Sequence, residues 1–109
     1  VLVMGFSFKE NCPDIRNTKV FDVYSELIQY GISPEIFDPW VDSKEALSLY
    51  DISMIEKPKI NFYDAVIVAV SHDEFKELGA AGISMFMKDN HIIYDLKYAL
   101  EKTDSIVRL

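Results

Sequence analysis

The run Ala65-Val66-Ile67-Val68-Ala69-Val70 offers water no polar residue. Side chains of a strand point alternately to its two faces. An unbroken, largely β-branched run therefore needs cover on both faces, which is the position of a central strand in a parallel sheet. It is the longest apolar run in the chain, and far short of the roughly 20 residues that cross a bilayer.

The rest of the chain alternates in the way such a sheet requires. Val1 to Met4 reads as a strand ending at Gly5. Phe6 to Arg16 reads as a polar loop, and Asn17 or Thr18 can cap the helix that follows. Val20, Val23, Tyr24, Leu27 and Ile28 recur at helical spacing, and Gly31 ends that helix. Pro34 to Phe37 reads as a strand, Ser43 to Tyr50 as a helix, and Ser53 to Ile55 as a short strand. Ser71-x-x-Glu74 has the form of a capping box opening a short helix. Gly79 to Gly82 should break that helix, and Ile83 to Met87 reads as a further turn or two that is either core or a surface covered by another domain or subunit. His91 to Tyr94 and Ser105 to Val107 complete the strands. Strands alternating with helices predict α/β structure: a small, three-layer, Rossmann-like domain with a mainly parallel sheet.

Composition narrows the function. With 11 basic and 18 acidic residues among 109, the net charge is -7, which argues against a general nucleic-acid binder. Half the residues are hydrophobic and 27% are charged, which argues against disorder. One cysteine leaves no internal disulfide framework and no multi-cysteine zinc site, so we expect a reducing, cytoplasmic setting and no metal or membrane partner. The chain opens inside a strand and not on Met, so a single-domain fragment, 1–109, of a longer protein is expected.

Ligands of doubly wound sheets bind beyond the carboxyl ends of the strands. That rule selects the Phe6–Arg16 loop, the Ser71-His72 turn and the Asp95–Tyr98 turn. The first loop lacks the dinucleotide fingerprint, because Gly5 is the only glycine before Tyr30. It carries Lys9, Arg16 and Lys19 beside a helix N-terminus instead. Cations are unfavourable at that positive end. Two readings stand: a solvated loop with incidental charges, or a place where a phosphate joins them. Asp38-Pro39 reads as a turn and His72 as a solvent-facing residue of a first helical turn. Cys12 has neither a base nor an oxyanion site beside it, so no catalytic residue is assigned. His91 is given no metal role.

Gly5-Phe6-Ser7-Phe8-Lys9-Glu10-Asn11-Cys12-Pro13-Asp14-Ile15-Arg16-Asn17-Thr18 closely resembles the opening of the C-terminal domain of UDP-glucose/GDP-mannose dehydrogenases. It is most similar to the bacterial branch acting on UDP-N-acetylhexosamines. Asp38-Pro39-Trp40, Tyr63-Asp64-Ala65 and Tyr94-Asp95-Leu96-Lys97 resemble later segments of the same domain. The resemblance implies the UDP-sugar-binding lid of a three-domain, NAD-dependent 6-dehydrogenase that makes uronic acids for O-antigen and capsular polysaccharides. The sugar C6 alcohol would be oxidised in two steps, through a thiohemiacetal and a thioester on a cysteine of the middle domain. By position, Phe8, Lys9 and Lys97 would contact the UDP-sugar, and Arg16 would reach the NAD. The partners implied are the enzyme's own N-terminal and middle domains, in a homodimer. This fragment alone is expected to be inactive. The competing expectation is a non-enzymatic signalling or subunit-contact module. A receiver-like site would need acids after the first strand, where Gly5 and Phe6 stand.

Overall fold

The computed structural model describes residues 1–101 and 106–108. In chain order the elements are β1 (Leu2–Met4), α1 (Val20–Gln29), β2 (Glu35–Phe37), α2 (Ser43–Tyr50), β3 (Tyr63–Val68), α3 (Asp73–Ser84), β4 (Met87–Asp95) and β5 (Ile106–Val107). The strands form one sheet in the order β2-β1-β3-β4-β5, and every pairing is parallel. The chain leaves β1 towards one side and returns on its other side as β3. This is a doubly wound order, and its crevice opens beyond the carboxyl ends of β1 and β3.

Alternation along the strands divides the core in two. Leu2 and Met4 of β1, with Val66 and Val68 of β3, pack against Phe75 and Ile83 of α3. Val3 and Ile36 face the other way and pack with Val20 of α1 and Ala46 of α2. The sheet therefore lies between two helical layers, as the apolar run required. Leu2, Val3, Met4, Val66 and Val68 are all fully buried. At roughly 1.5–3 kcal/mol per buried aliphatic side chain, this sandwich is the main source of stability.

Helix α1 ends as its sequence predicts. Gly31 takes φ +80°, its N–H donates to Ile28, and the Ile32 N–H donates to Leu27. These two bonds satisfy carbonyls that the helix end would otherwise leave open. Its start is held by Thr18, whose Oγ1 accepts the Val20 N–H at 3.2 Å.

Several sequence expectations need correction. Ser53 to Ile55 is not a strand. The Ile55 N–H donates to the Ile36 carbonyl at 3.0 Å, but one bond makes no ladder. Ile52 is buried in one core layer and Ile55 packs on the other, so this segment carries the chain around the β2 edge. The predicted break at Gly79–Gly82 is present: Gly79 takes a non-helical φ of +63° and ψ of -179°, and two helical segments meet at this kink within α3. Ser71-x-x-Glu74 makes no capping box: His72 is the N-cap and no side chain of its own caps the helix. Strand β4 starts at Met87, four residues before His91. Its pairing with β3 shifts between Tyr63–Met87 and Ala65–Ile92, so polar residues 88–91 bulge opposite Asp64. Their polarity hid them from an apolar-run criterion. Ile83 and Met87 are core, whereas Met85 between them is 61% exposed. Of the expected strand Ser105 to Val107, Ser105 lies outside the described residues. Among the described residues no helix is long and apolar enough to cross a membrane.

Gly5 fixes how closely β1 and β3 approach at their carboxyl ends. It has φ +103°, and a Cβ there would lie 2.7 Å from Val70 Cβ and 2.9 Å from the Val70 nitrogen. Gly5→Ala is expected to destabilise the chain by about 2–4 kcal/mol, from the left-handed backbone and the overlap together. Urea unfolding of the two proteins measures it; an unchanged midpoint would show that the strand ends can separate freely.

Candidate functional site

Beyond the carboxyl ends of β1, β3 and β4 lies a cavity of about 140 Å³. The β1 loop supplies Ser7, Phe8, Lys9 and Glu10, the start of α1 supplies Lys19, the β3 loop supplies Ser71, and the turn after β4 supplies Lys97. The fold thus gathers three lysines that stand far apart in sequence. Among the described residues no carboxylate forms an ion pair with any of them, although Glu10 lines the same wall. Three unpaired ammonium groups beside a helix N-terminus are mutually unfavourable until an anion joins them. A diphosphate suits the place: each ammonium is a point charge with three donors.

The loop is held by a buried network that the sequence did not reveal. Asp38, at the end of β2, is 5% exposed, and His72, just after β3, is fully buried. They reach across the β1 loop from its two sides. Asp38 Oδ2 accepts the N–H groups of Phe6 at 2.7 Å and Ser7 at 3.0 Å, and Oδ1 accepts the Trp40 N–H at 2.8 Å. His72 Nε2 lies 2.9 Å from Asp38 Oδ2 and 3.2 Å from Ser7 Oγ. His72 Nδ1 accepts the Asn11 N–H at 2.9 Å, so it carries no proton, and the one ring proton sits on Nε2 facing Asp38. Ser7 Oγ donates to the Lys9 carbonyl at 2.8 Å. Asn11 Oδ1 accepts the Asp73 N–H at 3.0 Å, capping α3 from a distant loop.

These contacts revise two readings. Asp38 does form a turn through Trp40, but it also anchors the β1 loop. His72 is not solvent-facing: Trp40 lies over its ring at 6.1 Å and Phe75 meets it edge-on at 5.3 Å. The only sequence signal was position, since Asp38 directly follows β2 and His72 ends the loop after β3. Glu74, freed from the expected capping box, accepts the Trp40 indole N–H at 3.0 Å.

Arg16 is placed apart from the lysines. It lines a separate shallow cleft with Phe8, Asp14 and Asn17. Its Nε and Nη2 each lie 3.1 Å from an Asp14 carboxylate oxygen, while its side chain is 77% exposed. The guanidinium holds the Asp14 carboxyl below the usual carboxylate range, and Asp14 in turn pushes Arg16 further up. Phe8 is 56% exposed and borders both the cavity and this cleft. Cys12 is a half-buried free thiol. His91 Nδ1 lies 2.6 Å from the Lys88 carbonyl and Nε2 3.4 Å from Ser84 Oγ. Among the described residues no group of three or more His, Cys, Asp or Glu is placed to hold a metal ion.

Residues 2–102 match the family model for the UDP binding domain of the UDP-glucose/GDP-mannose dehydrogenase family. The chain is 52% identical over its whole length to a UDP-N-acetyl-D-glucosamine 6-dehydrogenase of Salmonella typhi, and 49% identical to one of Pseudomonas aeruginosa. It spans 26% of the length of each. A GDP-mannose dehydrogenase from Pseudomonas aeruginosa, solved as a ternary complex, has a similar fold over 98% of this chain and 27% of its own, with a TM-score of 0.74 at 16% identity.

The Asp38 carboxylate should tolerate no isosteric replacement. An amide would turn an NH₂ towards an N–H donor in either orientation. Asp38→Asn is expected to cost about 2–4 kcal/mol, the range for leaving buried donors unsatisfied. Denaturant unfolding reads this directly, and a loss below about 0.5 kcal/mol, the scale of an ordinary surface change, would contradict the network.

Proposed function

The chain belongs to the UDP-glucose/GDP-mannose dehydrogenase family, matching its UDP binding domain, and on that premise we propose that it is the C-terminal UDP-sugar-binding lid of an NAD-dependent nucleotide-sugar 6-dehydrogenase. The observation that carries this is the cavity of unpaired lysines in a chain of net charge -7. Lys9 and Lys97 contact the diphosphate or ribose oxygens, and the exposed Phe8 ring gives the nucleotide an apolar surface. The substrate is a UDP-N-acetylhexosamine whose C6 alcohol is oxidised to a carboxylate. The similarity to UDP-N-acetyl-D-glucosamine 6-dehydrogenases supports that choice, and surface polysaccharide synthesis is the process it suggests.

NAD, which would accept the hydrides, does not fit the β1 loop of this domain. In a dinucleotide-binding loop the backbone N–H groups after the first strand face a pyrophosphate. Here Phe6 and Ser7 donate to Asp38 instead, so the chain's own carboxylate occupies the anion position. NAD is therefore held mainly by domains outside this chain, and the lid adds Arg16. Because Asp14 already takes one edge of its guanidinium, Arg16 meets a cofactor phosphate through its remaining N–H groups. The lid works in the cytoplasm, against the N-terminal and middle domains of a homodimer.

UDP titrated into the 109-residue chain should give saturable amide shifts at Phe8, Lys9 and Lys97. Lys9→Ala should weaken UDP by about tenfold or more, as expected for losing a charge-assisted bond. Arg16→Ala should leave UDP affinity intact and, in the full-length enzyme, raise the KM for NAD. No shifts at millimolar UDP, with an unchanged substrate KM for Lys9→Ala in the full-length enzyme, would overturn the reading.

A further inference from the structure

We propose that His72 is a positioning residue for nucleotide-sugar binding, one that braces the Ser7–Asn11 loop so that Lys9 is presented to the cavity. The role rests on the chain binding UDP through that cavity. His72 does not itself line the cavity, but it contacts Ser7, which does. Its influence passes through the two ends of the loop, Ser7 Oγ at 3.2 Å from Nε2 and the Asn11 N–H at 2.9 Å from Nδ1.

Asn11 Oδ1 also accepts the Asp73 N–H and Asp38 accepts the Ser7 N–H, but between those ends the loop has little to order it. Phe8, Lys9 and Glu10 are exposed and add nothing to the core. Three backbone restraints are present. Phe8 N–H donates to the Asp14 carbonyl at 2.7 Å, Ser7 Oγ donates to the Lys9 carbonyl, and Asn11 is left-handed at φ +54°. Two of these depend on groups that His72 holds. An unbraced loop would have to be ordered by the ligand, at a cost in affinity.

Imidazole suits the task because its two nitrogens are unlike. In the neutral ring one nitrogen accepts and the other donates. Asn11 needs an acceptor, while Asp38 and Ser7 Oγ are met by a donor, and both needs are met by one tautomer. The ring is fully buried beneath Trp40 and beside Phe75, and its contact with Ser7 Oγ is buried with it.

Two substitutions separate bracing from mere structural support. In His72→Asn the amide oxygen falls near the Nδ1 position, which keeps an acceptor for Asn11 and loses the donor to Asp38. In His72→Gln the amide nitrogen reaches the Nε2 position, which keeps the donor and loses the acceptor. Both should lower stability. Among folded molecules, both variants should weaken UDP by about fivefold or more, because each frees one end of the loop, and hydrogen exchange at the Asn11 amide should speed in His72→Gln only. UDP affinities equal to the parent chain's in both variants, or an Asn11 amide that exchanges alike in all three proteins, would overturn the role. No response of the parent chain to millimolar UDP would overturn the binding reading itself and the role with it. If His72→Gln does not fold, the parent chain decides through its imidazole ¹⁵N resonances. Nδ1 must show the unprotonated, acceptor signature and respond to UDP; a protonated Nδ1, or no response at saturating UDP, overturns the proposal.

Discussion

A single buried carboxylate organises the ligand-facing end of this domain. Asp38 collects two backbone N–H groups from the β1 loop, one from its own turn and the ring N–H of His72. A buried carboxylate is tolerated when donors surround it, and becomes costly when one is removed. Asp38 projects from the strand on one side of β1 and His72 follows the strand on the other. The loop between them is thereby fixed to both neighbours, and its exposed tip is free to carry Phe8 and Lys9.

That arrangement also explains how a doubly wound sheet can lack the usual dinucleotide loop and still gather cations at its crevice. The sheet topology creates a crevice with inward-facing N–H groups and a helix N-terminus. An internal carboxylate satisfies the N–H groups. Positive charge at the crevice is carried instead by the side chains of Lys9, Lys19 and Lys97, which line it. Arg16, held by Asp14 around the other side of Phe8, remains separate from that cavity.

Close packing beneath the site makes this geometry possible. Gly5 lets Val70 lie directly against the β1 backbone, and the strand ends converge so that the loops after β1 and β3 can meet. Asn11 then caps α3, tying that helix to a loop 62 residues earlier in the chain. The expected capping box is absent because His72, not Ser71, is the N-cap of α3, and Glu74 accepts from Trp40 instead.

The sequence by itself determined the architecture. A continuous β-branched run demanded cover on two faces, helical spacing between Val20 and Ile28 supplied one layer, and Gly31 marked an end whose carbonyls needed partners. The β1 loop motif was also long enough to indicate the family. These features are local, because periodicity and turn chemistry act over a few neighbouring residues. The tertiary structure alone decided what was long-range. It brought Lys9, Lys19 and Lys97 into one cavity, moved His72 from the surface into the core and made Asp38 an anchor as well as a turn. It also gave residues 88–91 to a bulged strand that their polarity had concealed. Such contacts depend on which strand lies beside which, and that order follows from burying the whole sheet between its helices, not from any short stretch of the chain.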